Sequence, residues 1–490
     1  MRRGRVSASF TNDDATENDT EPTSEGYAKS LTNRHIGMIA IGGAIGVGLF
    51  LGSGSRLSQT GPSLVLSYLV CGIAAFFVMR ALGELVLHRP TAGSFVEYAR
   101  EFIGPWAGYA SGWMFWLNWA MTGVAEITAV GIYVEYWFPD LPQWVSAFAA
   151  LVVLLTVNLL SVRLFGELEF WFAIIKVLAI VAFLVVGLGL VLSAAHIGDD
   201  QAGLHNLTAH GGFLPSGVGV ALLSLQGVVF AYAAIEMVGI TAGETANPRK
   251  IVPKAINSVV WRIALFYVGS VLLMVLLLPW NAYSGLQSPF VTVFARLGVP
   301  GVGAAMNAVV LTAALSSCNS GLYATGRILR SLAQRGEAPS FTGRMSRRHV
   351  PYGGILFTSM VYVIGVVLNF YVPHQVFDIA TAIASLGVLS TWTVLLVAQT
   401  RLRKAAARGE LTRPAFRMPG SPYTNYVVLA FLALVVLMAG FDPVQRYSIY
   451  ALPVVALVLV AGWRLSRKHR SGYQCRTADA DDAKELATEH

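Results

Sequence analysis

Charge is scarce in this chain. Only 13% of its 490 residues are Asp, Glu, Lys or Arg, while 55% are hydrophobic; soluble domains carry about a quarter charged. A large soluble helical core would need polar faces at helical spacing, and residues 177–192 and 268–278 have none. Cysteine is nearly missing too. Cys71, Cys318 and Cys475 show neither metal-binding nor disulfide spacing, and the first two read as small core residues within apolar runs. The histidines include no H-x3-H or HExxH pattern, so no metal set is expected. No GxxxxGK[ST] loop is present, which excludes direct powering by ATP. A cleavable signal is not visible either: residues 1–30 are polar and lack an apolar h-region, so the first apolar span is expected to act as the insertion signal.

What the chain has in abundance is long apolar runs, many exceeding the roughly 18 residues of a membrane-spanning helix. They place it in an all-α, polytopic membrane class with about twelve spans. These fall at 36–57, 64–87, 105–136, 144–162, 168–194, 218–240, 257–279, 302–332, 355–371, 376–400, 426–440 and 447–465. Residues 1–30 and 471–490 read as polar cytoplasmic tails. The net charge of +8 invites a nucleic-acid partner, but its placement reports topology instead. With twelve spans, only Arg56, Arg296 and Arg446 fall on the far side and Lys176 lies mid-span, leaving every other basic residue on the near side. Positive loops stay cytoplasmic, so both termini are expected inside, in the cell inner membrane.

Two spans look interrupted. The first contains Gly42-Gly43-Ala44-Ile45-Gly46-Val47-Gly48, and glycine costs roughly 1 kcal/mol per residue in a helix relative to alanine. A close-packing motif of small residues is the alternative reading. The sixth span reads Phe230-Ala231-Tyr232-Ala233-Ala234-Ile235-Glu236. A carboxylate inside an apolar helix is expensive and usually faces a cavity or a partner. The first and sixth spans are equivalent positions in two five-span halves, the arrangement expected around a midplane site in an inverted-repeat transporter. A restarting helix offers N–H groups to an anion, and a stopping helix offers carbonyls to a cation. A zwitterion suits both. The amides near Gly46, Val47 and Gly48 are thus expected to hold a carboxylate, and carbonyls near Ala44, Phe230 and Ala233 an ammonium.

At these residues the chain resembles a known family. The runs IGGAIGVGLFLGSG, GELVLHRPTAGSFVEYAREFIGPWAGYASGW, GELEFWFAIIKV and FAYAAIEMVGITAGETANPRKIVPKAIN are similar to those of bacterial amino acid permeases of the amino acid–polyamine–organocation superfamily. ALSSCNSGLYATGRILRSLA and VPYGGI add to the likeness, which extends over about residues 31–470. Within the family, LVLHRP, LTAALSS, LQSPFVTVF and RPAFRMPGSPY resemble L-asparagine permeases. The resemblance implies the leucine-transporter fold: inverted repeats over 31–194 and 195–405, then two peripheral helices over 406–470. It implies proton-coupled import of an amino acid, without cofactor. It also implies a substrate site at Ala44, Gly46, Val47, Gly48, Glu126, Phe230, Ala231 and Ala233, with an aromatic gate near Phe230. One departure stands out, since Val47 occupies a place where relatives commonly carry Ser or Thr.

Ionisable residues within spans are functional candidates by default. Lys176 sits more than two turns into the fifth span, with Glu167 and Glu169 expected to mark its cytoplasmic end. A lysine snorkelling to the interface is the alternative. In the family resembled, this lysine lies where sodium-coupled members bind their ion, so Lys176 is the expected proton-coupling residue. Glu126 in the third span is expected beside the substrate, selecting side chains or carrying a proton, or else pairing with a neighbouring helix. Glu236 is expected to brace the broken helix and its gating. Ser316 and Ser317 are expected to hydrogen-bond the Lys176 ammonium, or simply to pack helices.

Other functions fare worse. A channel would want a continuous polar lining or charged rings, and a membrane enzyme would want catalytic groups gathered near one face. An exchanger, or a permease for glycine, alanine, D-serine, γ-aminobutyrate or an aromatic amino acid, stays open.

Overall fold

The computed structural model describes residues 45–91, 94–237 and 248–488. Ala44, with Gly42 and Gly43, lies outside them. Helices α1 (Val47–Phe50) and α2 (Gly52–Thr60) are followed by α3 (Leu64–His88), α4 (Ser94–Phe102), α5 (Pro105–Glu135), α6 (Gln143–Leu160) and α7 (Val162–Leu192). A small hairpin, β1 (His196–Ile197) with β2 (Asp200–Gln201), precedes α8 (Gly217–Leu223) and α9 (Leu225–Ala231). Then come α10 (Pro248–Arg262), α11 (Ser270–Leu277), α12 (Pro289–Arg296), α13 (Val302–Gln334), α14 (Tyr352–Tyr371), α15 (Pro373–Ala407), α16 (Tyr423–Ala439) and α17 (Arg446–Thr488).

Local sequence sets many of these bounds. Pro105, Pro289 and Pro373 each stand at a helix start, where the missing N–H has no intrahelical partner to lose. Between α10 and α11 the chain widens into a π-helical stretch, Ile263–Gly269. Helix α4 is short and two-faced: Phe95, Val96, Tyr98 and Ala99 are buried while Arg100 stays partly accessible. Each expected span is occupied by helix within the described residues, and eight helical stretches there are long and apolar enough to cross a bilayer.

Packing separates an inner from an outer layer. Helix α5 lies against α13 and α15 at the centre. In α15, 72% of the most apolar stretch is buried, whereas in the 446–467 part of α17 only 6% is. Large apolar side chains such as Leu178, Val185 and Leu457 point outward, while Asn118, Glu126, Glu169 and Lys176 are buried. Polar groups inside and apolar groups outside are what a lipid solvent demands.

At the near-side end, charged clamps join distant segments. The fully buried Glu84 of α3 accepts from Gln399 of α15 at 2.9 Å and from the Met418 amide at 2.8 Å, and it pairs with Arg413. Arg100 of α4 donates to both oxygens of Glu337 at 2.8 Å each. At the opposite end Arg56 of α2 lies 3.8 Å from Asp442, in the turn between α16 and α17.

Candidate substrate site

Within the described residues, the first span turns helical well inside its expected range and the sixth is broken. Gly46 is extended (φ −130, ψ −165), and helical structure begins only at Val47. Helix α9 stops at Ala231; residues 232–236 form turns, and Ala234 takes a left-handed φ of +68. A residue with a Cβ enters that region only at a cost of about 1–2 kcal/mol, so the surroundings hold the break in place. The two interruptions meet. A Cβ on Gly48 would lie 2.8 Å from the Ala231 Cα and 3.2 Å from the Phe230 ring. Only glycine permits so close an approach of one main chain to another.

A narrow cavity of about 20 Å³ lies at this meeting point. Of the residues singled out in the sequence, Gly46, Gly48, Glu126, Phe230, Ala231, Ala233 and Ser317 all line it. Val47 is fully buried and turns its amide to Glu126, N to Oε1 at 3.4 Å. The Phe230 carbonyl accepts from the Ala233 amide at 3.0 Å, leaving one of its two lone pairs for another donor. Glu236 does not line the cavity; it is fully buried in the turn that follows α9.

Lys176 is completely buried and stands behind the cavity wall, donating from Nζ to the Ile45 carbonyl at 3.2 Å. It therefore grips the main chain at the very break of the first span, and it does not snorkel. Two expectations need correcting. Ser316 donates to the carboxylate of Glu169 at 2.8 Å, so this hydroxyl serves a carboxylate and not the ammonium, while Ser317 lines the cavity together with Glu126. Glu169 itself does not mark a solvated helix end; none of it is exposed. An acidic residue two positions after Glu167 reads like an interface charge, but it falls on the inner face of α7.

The cavity also holds residues that the sequence reading missed. Asn118, Trp119, Thr122 and Ala234 complete the wall. Thr122 donates to Asn118 Oδ1 at 3.4 Å. Asn118, Thr122 and Glu126 repeat every four residues along α5, one polar stripe on a helix face, and that spacing was the available signal. Among the described residues, Trp119 Nε1 and Glu126 Oε2 make no hydrogen bond, and both residues face the cavity. Among the described residues the site thus offers main-chain dipoles, one carboxylate and several neutral donors and acceptors, with no basic side chain in its wall. No group of three or more His, Cys, Asp or Glu suited to a metal occurs among the described residues.

The pattern of the amino acid permease family matches residues 35–472. The chain is 55% identical to an L-asparagine permease of Salmonella typhimurium over 95% of both chains. It is 57% identical to the L-asparagine permease of Escherichia coli, covering 91% of this chain and 90% of that one. With the L-asparagine permease of Streptomyces coelicolor it shares 55% identity over 92% and 93%. Eight long apolar helical stretches among the described residues, and a cavity where the first and sixth spans meet, agree with these matches: the chain belongs to the amino acid permease family and is a polytopic membrane transporter of amino acids.

Proposed function

We propose that this permease imports L-asparagine across the cell inner membrane together with a proton, with both of its termini in the cytoplasm. The observation that carries the reading is the cavity where Gly46–Gly48 and Phe230–Ala233 meet beneath Glu126. The substrate carboxylate takes the Val47 and Gly48 amides at the restarting helix, and the ammonium takes main-chain carbonyls at the broken ends together with Glu126. The side chain reaches Asn118 and Thr122. There Asn118 Nδ2 donates to the carboxamide oxygen, and the Thr122 hydroxyl accepts from its NH2. An aspartate side chain would instead add a second carboxylate to a wall that already carries Glu126 and lacks a basic partner. The names of the relatives support the choice of asparagine.

Lys176 carries the coupled proton. Its hold on the Ile45 carbonyl ties the charge on Nζ to the geometry of the first break, so that losing the proton loosens the segment bearing the carboxylate site. The breaks fall in the first span of each of two inverted repeats, 31–194 and 195–405, and residues 406–470 are peripheral. The barely buried α17 fits that outer place. The test is purified protein in liposomes under an imposed inside-alkaline pH gradient, challenged with each amino acid in turn. Asparagine accumulates and the accumulation collapses with a protonophore. Accumulation of a different amino acid with asparagine inert, or indifference to the gradient, would overturn the reading.

A further inference from the structure

Glu169 has no place in the function so far, yet it is one of the few ionisable groups that the fold removes completely from solvent. It lies seven residues, or two turns, before Lys176 on α7, which puts both on one helix face. Helical side chains lean toward the N-terminus, so Lys176 reaches from its own turn toward that of Glu169. Lys176 interacts electrostatically with two buried carboxylates, Glu169 and Glu126. From α13, Ser316 donates to Glu169 Oε1 at 2.8 Å, while the next residue, Ser317, lines the cavity with Glu126. From α6, Asn158 Nδ2 donates to Asn319 Oδ1 at 2.8 Å, fixing an amide of α13 one turn from Ser316. The charged groups facing Glu169 among the described residues are therefore Lys176 on its own helix and, more distantly, Glu126 from α5.

Charge counting gives this arrangement a consequence. Two carboxylates and one ammonium leave an excess negative charge in a dry interior, where an unpaired charge is costly. One extra proton resolves the excess, and it can sit on either side of Lys176. Glu126 faces the substrate cavity. Glu169 lies toward the start of α7, which is the near-side end of that helix in the topology above, roughly 10 Å along the axis from Lys176.

We propose, resting on the proton-coupled reading, that Glu169 is the coupling residue that takes the proton from Lys176 and delivers it to the cytoplasm. In this step, in a state that swings Nζ off the Ile45 carbonyl and onto the carboxylate, an Nζ–H bond of Lys176 breaks and an O–H bond forms on Glu169. The ammonium and carboxylate become a neutral amine and a neutral acid, and no other reactant is needed. Glu169 then gives the proton to cytoplasmic water. Ser316 orients the Glu169 carboxylate through its hydrogen bond to Oε1.

The test compares the wild type with Glu169→Gln and Glu169→Asp in liposomes that contain a trapped pH dye. Asparagine counterflow, which needs no net proton movement, is measured beside gradient-driven accumulation and substrate-induced proton flux. Glu169→Gln is expected to keep counterflow within about twofold of wild type, with accumulation and proton flux down about tenfold or more. Glu169→Asp, which keeps a titratable group, is expected to restore most of both. Wild-type accumulation and proton flux in Glu169→Gln would overturn the proposal. So would equal loss of counterflow and accumulation in both variants, which marks a structural role. A wild-type protein that ignores the pH gradient would instead remove the proton-coupled reading on which the proposal rests.

Discussion

The Glu126 carboxylate occupies the main-chain amide of Val47, with Oε1 3.4 Å from the nitrogen. That amide opens the restarted half of the first span, where a substrate carboxylate is expected to dock. A side-chain carboxylate there acts as an internal stand-in for the ligand, and the incoming substrate must displace it. Glu126→Gln eases that displacement but removes the charge that holds the ammonium, and the loss of the charged contact dominates. Charge-assisted hydrogen bonds are worth about 1.5–3 kcal/mol, so asparagine counterflow should fall by about ten- to a hundredfold. Radiolabelled counterflow in liposomes checks it, and unchanged exchange would remove Glu126 from the site.

Lys176→Met separates two functions that Glu126→Gln affects together. With no basic group behind the cavity, the proton has no carrier and the Ile45 carbonyl loses a donor, while the residues lining the cavity are unchanged. Counterflow is expected to persist and pH-driven accumulation to be lost. A variant that accumulates asparagine as the wild type does would end the role of Lys176.

Gly48 meets Ala231 with no room for a side chain, since a Cβ would stand 2.8 Å from a backbone atom. Gly48→Ala should therefore push the two broken helices apart at the docking site. Displacements of about 1 Å near a site can cost about a hundredfold in rate. Transport is expected to collapse while the protein still reaches the membrane in normal amount. The paired measurement is initial uptake against membrane abundance.

Asn118 tests side-chain recognition alone. Asn118→Ala should raise the KM for asparagine about tenfold, the equivalent of ~1.4 kcal/mol for a lost hydrogen bond. The inhibition of uptake by other small neutral amino acids should rise relative to asparagine. An unchanged KM would place the carboxamide elsewhere.

Stability should depend on the buried near-side clamp and not on exposed ion pairs. Glu84→Ala leaves Arg413, Gln399 and the Met418 amide without their common acceptor. Breaking a buried pair in this way costs about 3–5 kcal/mol. Thermal unfolding of the detergent-purified protein should show a clear loss. Arg408→Ala removes a surface pair with Glu410 and should leave the transition unmoved.

The sequence carried the membrane class and the break after α9 plainly, because an acid at Glu236 violates what an apolar helix tolerates; of the glycine-rich first span, the described residues show the helix starting at Val47. Lys176 was legible for the same reason as Glu236. Asn118 and Thr122 were not, since neutral polar residues are common in spans and only their four-residue spacing distinguishes them. Glu169 misled because a carboxylate near a helix start resembles an interface charge until the packing of α13 against α7 is known. The Glu84 clamp was invisible in principle: its partner Arg413 lies 329 residues away, and nothing local in either segment names the other.

The absence of any side chain between Gly48 and Ala231 also bears on how the transporter can move. Two backbones in van der Waals contact cannot slide past one another without one dragging the other. The halves of the interrupted helices nearest the cavity are thus geared together, and the swing that exposes each face of the membrane in turn must be taken up at their outer ends.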